Sequence, residues 1–285
     1  MASRLSPRFL VALRRLAQRR IVGLALVVLA IVALLALTAP WLAGADPNDT
    51  AVSERLRGPG AAHWLGTDEL GRDLYARIVH GARYSLAIAA LTALASLAVG
   101  AALGLAAGFF RRLDAPLMRL VDAMMALPDI LLAIALVAVL GPSLANVTLA
   151  LTLVYTPRVA RVVRASTLVV RELPFVEAAR ALGARRTRIV LRHVLPNLLS
   201  PLLVQGSFIF AYAILAEAGL SFLGVGVPPD IPTWGTMIAG SLDYADRAFW
   251  TIFCPGVAIV LTALSLQMLG DGVRDLLDPK LRKAA

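Results

Sequence analysis

A polar, arginine-rich segment between two long apolar stretches contains the residue types and spacing that most suggest a function. It covers residues 177–196, and the helix at its start can begin a few residues earlier. Pro174 can occupy the first turn of a helix, where its missing N–H costs nothing, and Gly183 can end that helix in the left-handed conformation. A second short helix is expected over 186–194, ended by Pro196. A membrane protein that holds such a segment away from the bilayer would offer it to a soluble partner.

The first of these helices carries an apolar stripe. Its apolar residues recur at i, i+3, i+4 and i+7, the spacing of one face of a two-turn helix: Phe175, Ala178, Ala179 and Leu182. The two alanines would let another surface approach the backbone closely. The pattern predicts a small, capped helix with a face that another surface can contact closely.

This segment resembles the EAA loop of the membrane subunits of bacterial binding-protein-dependent ABC importers. The pattern of that loop is Glu-Ala-Ala, three residues, Gly, nine residues, Ile, one residue and Leu-Pro. Six residues of this chain match it: Glu177, Ala178, Ala179, Gly183, Leu195 and Pro196. His193 stands in place of the isoleucine, and HVLPN is similar to the form found in the dipeptide, oligopeptide and nickel branch.

In that family the loop is a coupling helix that docks in a groove of a cytoplasmic ATPase and transmits its closure to the pore. The resemblance implies an ATPase-coupling role for the six matching residues and for Arg180 and Leu182 on the same helix. It also implies that two separate ATPase subunits bind ATP and Mg²⁺, and that this chain binds no cofactor or metal. A second homologous permease and an extracytoplasmic solute-binding protein complete the implied assembly.

Four further strings are similar, in order and spacing, to the peptide and nickel permeases of that family. They are LGTDELGRD at 65–73, EAGLSFLGVGVPP at 217–229, PTWGTMIAG at 232–240 and LGDGVRDLLDPKLR at 269–282. The resemblance thus covers residues 63–282 and implies a type I ABC importer permease architecture. It further implies one half of a translocation path for peptides that works by alternating access, with nickel or another small solute as the alternative cargo.

The composition is that of a polytopic membrane protein. Hydrophobic residues make up 59% of the chain and charged residues 16%, whereas soluble domains carry about 25% charged residues. A helix needs about 20 apolar residues to cross the hydrocarbon core. Six stretches approach or meet this length: 21–42, 84–110, 120–140, 143–160, 198–222 and 249–269. The sequence therefore predicts an all-α protein with six transmembrane helices, the fourth of which is interrupted by Pro157 and Arg158.

The net charge of +10 is distributed unevenly between the two sides of the predicted spans. Of the 28 lysines and arginines, 22 lie before the first span, after the second, around the end of the fourth and after the last, and six lie on the opposite side. By the positive-inside rule both termini and the 177–196 segment are cytoplasmic. This orientation accounts for the charge without a nucleic-acid partner. It predicts a multi-pass membrane protein in contact with lipid, and the resemblance to bacterial importers implies that the membrane is the bacterial inner membrane.

The spans divide the chain into successive regions. These are a cytoplasmic basic N-terminus at 1–20, a first transmembrane helix at 21–42, an outer loop with an amphipathic segment at 43–83, a five-helix permease core at 84–272 and a cytoplasmic tail at 273–285. The core contains the coupling loop at 165–196 and an outer loop at 223–248. Within the first outer loop, Thr67 or Asp68 is expected to cap the amphipathic helix.

Two acidic residues inside the predicted spans are candidate functional groups, because charge in the membrane is costly. Asp129 follows Pro128, whose ring frees a backbone carbonyl and can kink the helix; its carboxylate could bond local backbone or line the substrate path. Glu217 lies near the outer end of the fifth span, where it could gate the outer mouth, hold the following loop or bind the amino terminus of a peptide. An ion-driven secondary transporter would carry more such groups than these two.

The remaining chemistry-bearing residues do not indicate an enzyme. The chain contains no H-E-x-x-H, G-x-S-x-G or Walker-type motif. His63 and Asp68 have the H-x4-D spacing of some acyltransferases, but that spacing is common by chance. Cys254 is the one cysteine, which excludes an intrachain disulfide. Three arginines recur every third residue and are expected to extend towards lipid phosphates: Arg158, Arg161 and Arg164.

Overall fold

The computed structural model describes residues 20–44 and 46–277, and nearly all of its regular structure is helical. The predicted basic N-terminus up to residue 19 and the end of the predicted tail, 278–285, lie outside the described residues. The helices in the described part are α1 (Arg20–Leu42), α2 (Leu74–Phe109), α3 (Arg111–Met124), α4 (Asp129–Leu140), α5 (Leu144–Val170), α6 (Pro174–Ala181), α7 (Arg186–Ile189), α8 (Leu195–Phe222), α9 (Trp234–Ser241) and α10 (Trp250–Leu277). The all-α prediction is confirmed.

Four helices in the described part of the chain are long and apolar enough to cross a membrane: α1, α2, the continuous stretch Arg186–Phe222, and α10. The pair α3 and α4 makes a fifth span if its two helices, which are bent by 86° at the break between them, are taken together. α5 has sufficient length but is not among these spans, and it carries three arginines in its second half. The count of six transmembrane helices therefore stays a prediction.

α2 begins well before the predicted second span. Asp73 caps it, because its carboxylate accepts a hydrogen bond from the Ala76 N–H at 2.8 Å. The predicted caps, Thr67 and Asp68, are wrong, since the Asp68 carboxylate instead pairs with Arg72 at 2.6 Å. The amphipathic segment expected in the outer loop is in part the beginning of a 36-residue helix that continues into the span.

The core is built around α2, which packs against α1, α5, α8 and α9. Its most extensive contact is with α5, and three glycines at four-residue spacing allow the close approach: Gly100, Gly104 and Gly108. A β-carbon added at Gly104 would lie 2.5 Å from the Ala160 carbonyl oxygen and 2.7 Å from Val163 Cβ. Small residues at this spacing let membrane helices pack backbone against backbone. The α2–α5 pair is therefore the tightly packed centre of the fold.

A continuous helical path joins the polar segment to the next span. α7 runs into a five-residue π-helical turn, Val190–Val194, after which the Leu195 N–H bonds to the Val190 carbonyl, and α8 follows directly. Pro196 therefore does not end the second short helix, and that prediction is wrong. It lies in the first turn of α8, where a proline is tolerated because the hydrogen-bonding pattern has just changed at the π turn.

At the far end of α8, the short helix α9 is held between α2, α8 and α10. Thr233 and Thr236 form a capping box at its N-terminus. Trp234 is buried, and its indole N–H donates to the Ile78 carbonyl at 3.1 Å. The two ends of the bundle are called the α6 end and the α9 end below.

Candidate functional site at the α6 end and along the bundle

α6 has the start and the stop that the sequence predicts. It begins at Pro174 and is closed by Gly183, whose φ of 75° is the left-handed conformation that glycine adopts without strain. The Ala184 N–H donates to the Ala179 carbonyl at 3.0 Å, and the Gly183 N–H donates to the Arg180 carbonyl at 3.1 Å. These two bonds form a Schellman motif, which stops the helix at a defined residue and orders the turn that follows.

The buried face of α6 differs from the stripe predicted from the sequence. Val176 is fully buried and Ala179 packs against the core, so these two residues seat the helix on the bundle. Phe175, Ala178 and Leu182 instead lie on an exposed face at i, i+3 and i+7. The Leu182 side chain is 88% exposed and the Phe175 side chain 43%. α6 therefore presents an apolar face that the described part of the chain leaves largely uncovered.

The other residues of the EAA pattern also belong to the α6 end. Glu177 and Arg180 are exposed on α6, Leu195 is half-buried, and Pro196 is exposed in the first turn of α8. Ile189 and Val194, which no sequence motif singled out, are buried and anchor α7 and the π turn on the bundle. The structure thus groups the eight predicted coupling residues at one end, whereas Asp129 and Glu217 lie further along the bundle.

Three ion pairs join α5 to α3 and α4, and we call them the charge ladder. They are Arg158–Asp129 at 2.5 Å, Arg161–Asp122 at 2.6 Å and Arg164–Asp114 at 2.5 Å. The expectation that these arginines extend to lipid phosphates is wrong, because each guanidinium has a carboxylate within the protein. A paired charge is less costly near the membrane than a lone one. The aspartates pair in the reverse order of the arginines, and the ladder ties both helices of the bent α3–α4 unit to α5.

The Asp129–Arg158 pair is only partly buried. The two side chains remain 42% and 39% exposed, and the Arg158 guanidinium stacks over the rings of Tyr155 and Tyr212, with 5.9 and 5.6 Å to the centroids. Arg158 lies about halfway along α5, roughly 20 Å from either end at the helical rise. If α5 spans the membrane, as the sequence predicts, a half-exposed charge at this depth must face water or another protein chain rather than lipid.

Glu217 is buried in α8 beside the N-terminus of α9 and is 1% exposed. Its Oε1 atom accepts hydrogen bonds from the Thr233 hydroxyl at 2.8 Å and the Ser221 hydroxyl at 2.9 Å, and its Oε2 atom has no partner among the described residues. The Trp234 N–H donates to the Ser85 hydroxyl of α2 at 3.1 Å. The carboxyl group therefore lies where α2, α8 and the start of α9 meet.

His63 pairs with residues other than Asp68, in agreement with the interpretation that the H-x4-D spacing arises by chance. Its ring nitrogens lie 2.8 Å from the Asp73 carboxylate and 2.7 Å from the Glu54 carboxylate. The Asp73 and Glu54 hydrogen bonds raise the pKa of His63, and the His63 hydrogen bond lowers the pKa of Glu54. The imidazole thus ties the segment after α1 to the N-cap of α2. Within the described residues, no group of three histidine, cysteine or carboxylate side chains is arranged to hold a metal ion.

The sequence of this chain is similar to membrane subunits of known transport systems. Residues 96–283 match the family described as binding-protein-dependent transport system inner membrane component, and residues 8–59 match the N-terminal TM domain of oligopeptide transport permease C. A Brucella suis relative, whose name assigns it to a peptide transport system as a permease, is 52% identical over 94% of this chain and 91% of its own length. The dipeptide transport system permease protein DppC of Alkalihalophilus pseudofirmus is 42% identical over 95% of this chain and 90% of its own length.

The fold also has a solved counterpart. A chain from the inward facing MetNI methionine ABC transporter aligns with a TM-score of 0.59 and 20% identity, over 71% of this chain and 96% of that chain. At this identity the likeness shows the fold, which is that of a type I ABC importer permease. The family match over most of the chain, the relatives that share nearly all of its length and this fold agree. The chain belongs to the inner membrane components of binding-protein-dependent transport systems.

Proposed function

We propose that this chain is one of two permease subunits that enclose the translocation path of an ATP-driven importer for peptides. The observation that carries the proposal is the exposed apolar face of α6, which is seated on the buried Val176 and connects through α7 and the π turn to α8. The names of the relatives supply the peptide cargo. Nickel or another small solute is the alternative cargo.

The geometry of α6 suits the transmission of force from an ATPase subunit. The apolar face would enter a groove of that subunit, and Glu177 and Arg180 stand beside it to bond the rim. Because the Schellman motif at Gly183 and the seat at Val176 prevent α6 from moving independently, its displacement passes into α7 and along α8. Two such partner subunits would bind ATP and Mg²⁺. The residues of this chain would transmit their movement to the bundle and control access to the translocation path.

The proposed orientation places the α6 end in the cytoplasm and the α9 end outside the bacterial inner membrane. The positive-inside rule supports it, since two arginines begin α3 and several more lie on and beside α6. Both termini would then be cytoplasmic. A solute-binding protein would deliver cargo at the α9 end, and a second homologous permease would face the half-exposed side of α4 and α5.

Glu217 suits a gate at the outer mouth that acts by holding α9. Its Oε1 atom accepts the Thr233 hydroxyl hydrogen bond at the start of α9, and it lies on α8, the helix that would carry the displacement of α6. Movement of α8 would strain or break this bond and free the N-terminus of α9. The 1% exposure of Glu217 favours this role over direct contact with a peptide amino group.

The Asp129–Arg158 pair suits a position on the substrate path, because its half-exposed charges need water or a partner chain. We expect Asp129→Asn and Arg158→Gln each to reduce peptide uptake at least about tenfold, since each leaves one charge unpaired at membrane depth. The double variant D129N/R158Q carries no lone charge. It should regain the thermal stability of the wild type in detergent but not its uptake. Wild-type uptake by the double variant would assign the pair a purely structural role.

Uptake of radiolabelled dialanine into proteoliposomes tests the proposed function directly. The importer would be assembled from this chain, its partner permease, both ATPase subunits and the loaded solute-binding protein. We expect uptake only when ATP is present on the ATPase side, and none when the ATPase subunits are omitted. Uptake that a proton or sodium gradient drives without ATPase subunits would instead show an ion-driven secondary transporter.

A further inference from the structure

A basic cleft lies beside the coupling segment and shares Arg180 with the predicted coupling residues, but the rest of its lining has no role in the sites described above. It has a volume of about 850 Å³ and is bounded by the end of α2, the start of α3, the end of α5 and the segment from α6 to α7. Five arginines and one glutamate line it: Arg111, Arg112, Arg171, Arg180, Arg186 and Glu172. The lining is therefore strongly positive.

Four of these guanidinium groups have no partner within the described residues. Arg171 is already engaged, because it donates to the Gly108 carbonyl at 2.7 Å and to Glu172 at 2.8 Å. The side chains of the other four arginines of the lining form no ion pair or hydrogen bond in the described part of the chain, and these residues are exposed. The arginines of the charge ladder on α5 differ from these four, because each of them is paired with a carboxylate. The cleft thus concentrates unneutralised donors from three elements, a composition that suits a phosphate group.

The surroundings of the cleft favour a lipid phosphate over an acidic protein. Phe109 and Phe110 end the membrane-spanning α2 and line the cleft with their rings 5.2 Å apart. α3 turns away here as an amphipathic helix, and Leu113 and Leu120, seven residues apart on one face, are 43% and 56% exposed. Apolar side chains beside arginines at a membrane–water interface are typical of helices that lie in that interface. Acyl chains would cover the leucines while the headgroup enters the cleft.

We infer that this cleft binds the headgroup phosphate of an anionic phospholipid of the cytoplasmic leaflet. The inference rests on the proposed orientation of the chain, in which the α6 end is cytoplasmic. Basic pockets between membrane helices on the cytoplasmic side are suited to anionic headgroups. A lipid bound here would bridge the α2–α3 corner to Arg180 and Arg186 on the coupling segment. It would thereby hold α6 and α7 in register with the bundle.

Native mass spectrometry of the assembled importer tests the site. The probe is phosphatidylglycerol added to the detergent-purified complex, with phosphatidylcholine as the neutral lipid. The variant R111Q/R112Q removes two donors from the cleft, and R188Q/R192Q removes the same charge from exposed arginines outside it. We expect R111Q/R112Q to bind phosphatidylglycerol at least about tenfold more weakly than the wild type does. The R188Q/R192Q control and the charge-conserving R111K/R112K variant should retain it like the wild type, and phosphatidylcholine should not be retained.

Three results would overturn the inference. The first is equal retention of phosphatidylglycerol by R111Q/R112Q and by the control. The second is displacement of the lipid by millimolar inorganic phosphate, which would make free phosphate the ligand. The third is loss of the ATPase subunits from R111Q/R112Q with lipid retention unchanged, which would assign the cleft to the ATPase interface. Lipid retention is measured without transport. If the importer failed to take up peptide, the lipid measurement would therefore still test the cleft independently of the proposed function.

Discussion

Replacing Leu182 by aspartate should abolish ATP-driven uptake while the protein still inserts and folds. Leu182 is 88% exposed at the end of α6 and contributes nothing to the core, so its loss does not destabilise the bundle. Full burial of a leucine in a partner groove is worth about 2–3 kcal/mol, and a carboxylate there adds a desolvation cost. We expect docking of the ATPase subunit to weaken by about a hundredfold or more. Dialanine uptake and binding-protein-stimulated ATP hydrolysis, measured in proteoliposomes, would both fall to background.

Two variants separate docking from folding in this experiment. Leu182→Met keeps an apolar side chain of similar volume and should retain uptake. Val176→Asp places a charge at a fully buried position and should lower the accumulated amount of protein, because it unseats α6. If L182D transports peptide at the wild-type rate, α6 does not dock through its exposed face.

The structure also separates the two alanines of the EAA pattern, which the sequence treats alike. A bulky side chain at the exposed Ala178 would obstruct the docking face, whereas one at Ala179 would press against the core. Gly183→Pro would act differently again, because proline requires a negative φ and position 183 has a φ of 75°. The Schellman motif would open, and α6 would lose its defined end. All three changes are expected to uncouple ATP hydrolysis from uptake. Only the change at Ala178 should do so while leaving the packing of α6 on the bundle intact.

Gly104→Leu should prevent the protein from accumulating in the membrane. The new β-carbon would lie 2.5 Å from the Ala160 carbonyl oxygen, 2.7 Å from Val163 Cβ and 2.9 Å from the Arg164 nitrogen. Two of these three atoms belong to the α5 backbone, so no side-chain rotation relieves the clash, and α2 and α5 must separate. Even Gly104→Ala is expected to cost about 1–3 kcal/mol. Thermal unfolding of the purified chain in detergent measures the alanine variant, and membrane-fraction yield measures the leucine variant.

Gly256 supplies the matched control for this result. It lies inside α10, and an added β-carbon there meets no atom within 4 Å. Gly256→Ala should therefore leave the midpoint of unfolding unchanged or raise it slightly, since alanine favours a helix over glycine. Equal stability of the Gly104 and Gly256 alanine variants would mean that α2 and α5 are not held by direct backbone contact.

Much of the candidate site was predictable because its signals are local. Pro174 and Gly183 impose their own backbone angles, so the boundaries of α6 follow from residue type. The EAA spacing and the apolar stretches likewise require no knowledge of the fold. The predicted cap of the helix before the second span, Thr67 or Asp68, was wrong, because several side chains before Leu74 can cap a helix and only the packed structure selects Asp73.

The partners of the charged residues could not be predicted in the same way. The ladder residues lie 29 to 50 positions apart in the chain. The arginine series was visible in the sequence, yet the partner of each arginine depends on how α3 and α4 pack against α5. The role expected for Arg158 therefore changed from lipid contact to an ion pair with Asp129 once the helices were placed.

Residue order alone establishes that this chain is a helical membrane protein with a short, capped helix at 174–183, because apolar length, proline and glycine act on the segment that contains them. Packing decides which side of that helix is buried, since apolar residues occur on more than one of its faces and the bundle accepts Val176 and Ala179. Packing likewise decides that Glu217 meets Thr233, and that the side chains of four cleft arginines have no partner among the residues that the structure describes. Contacts between distant segments depend on the relative placement of whole helices, and that placement is a property of the assembled core.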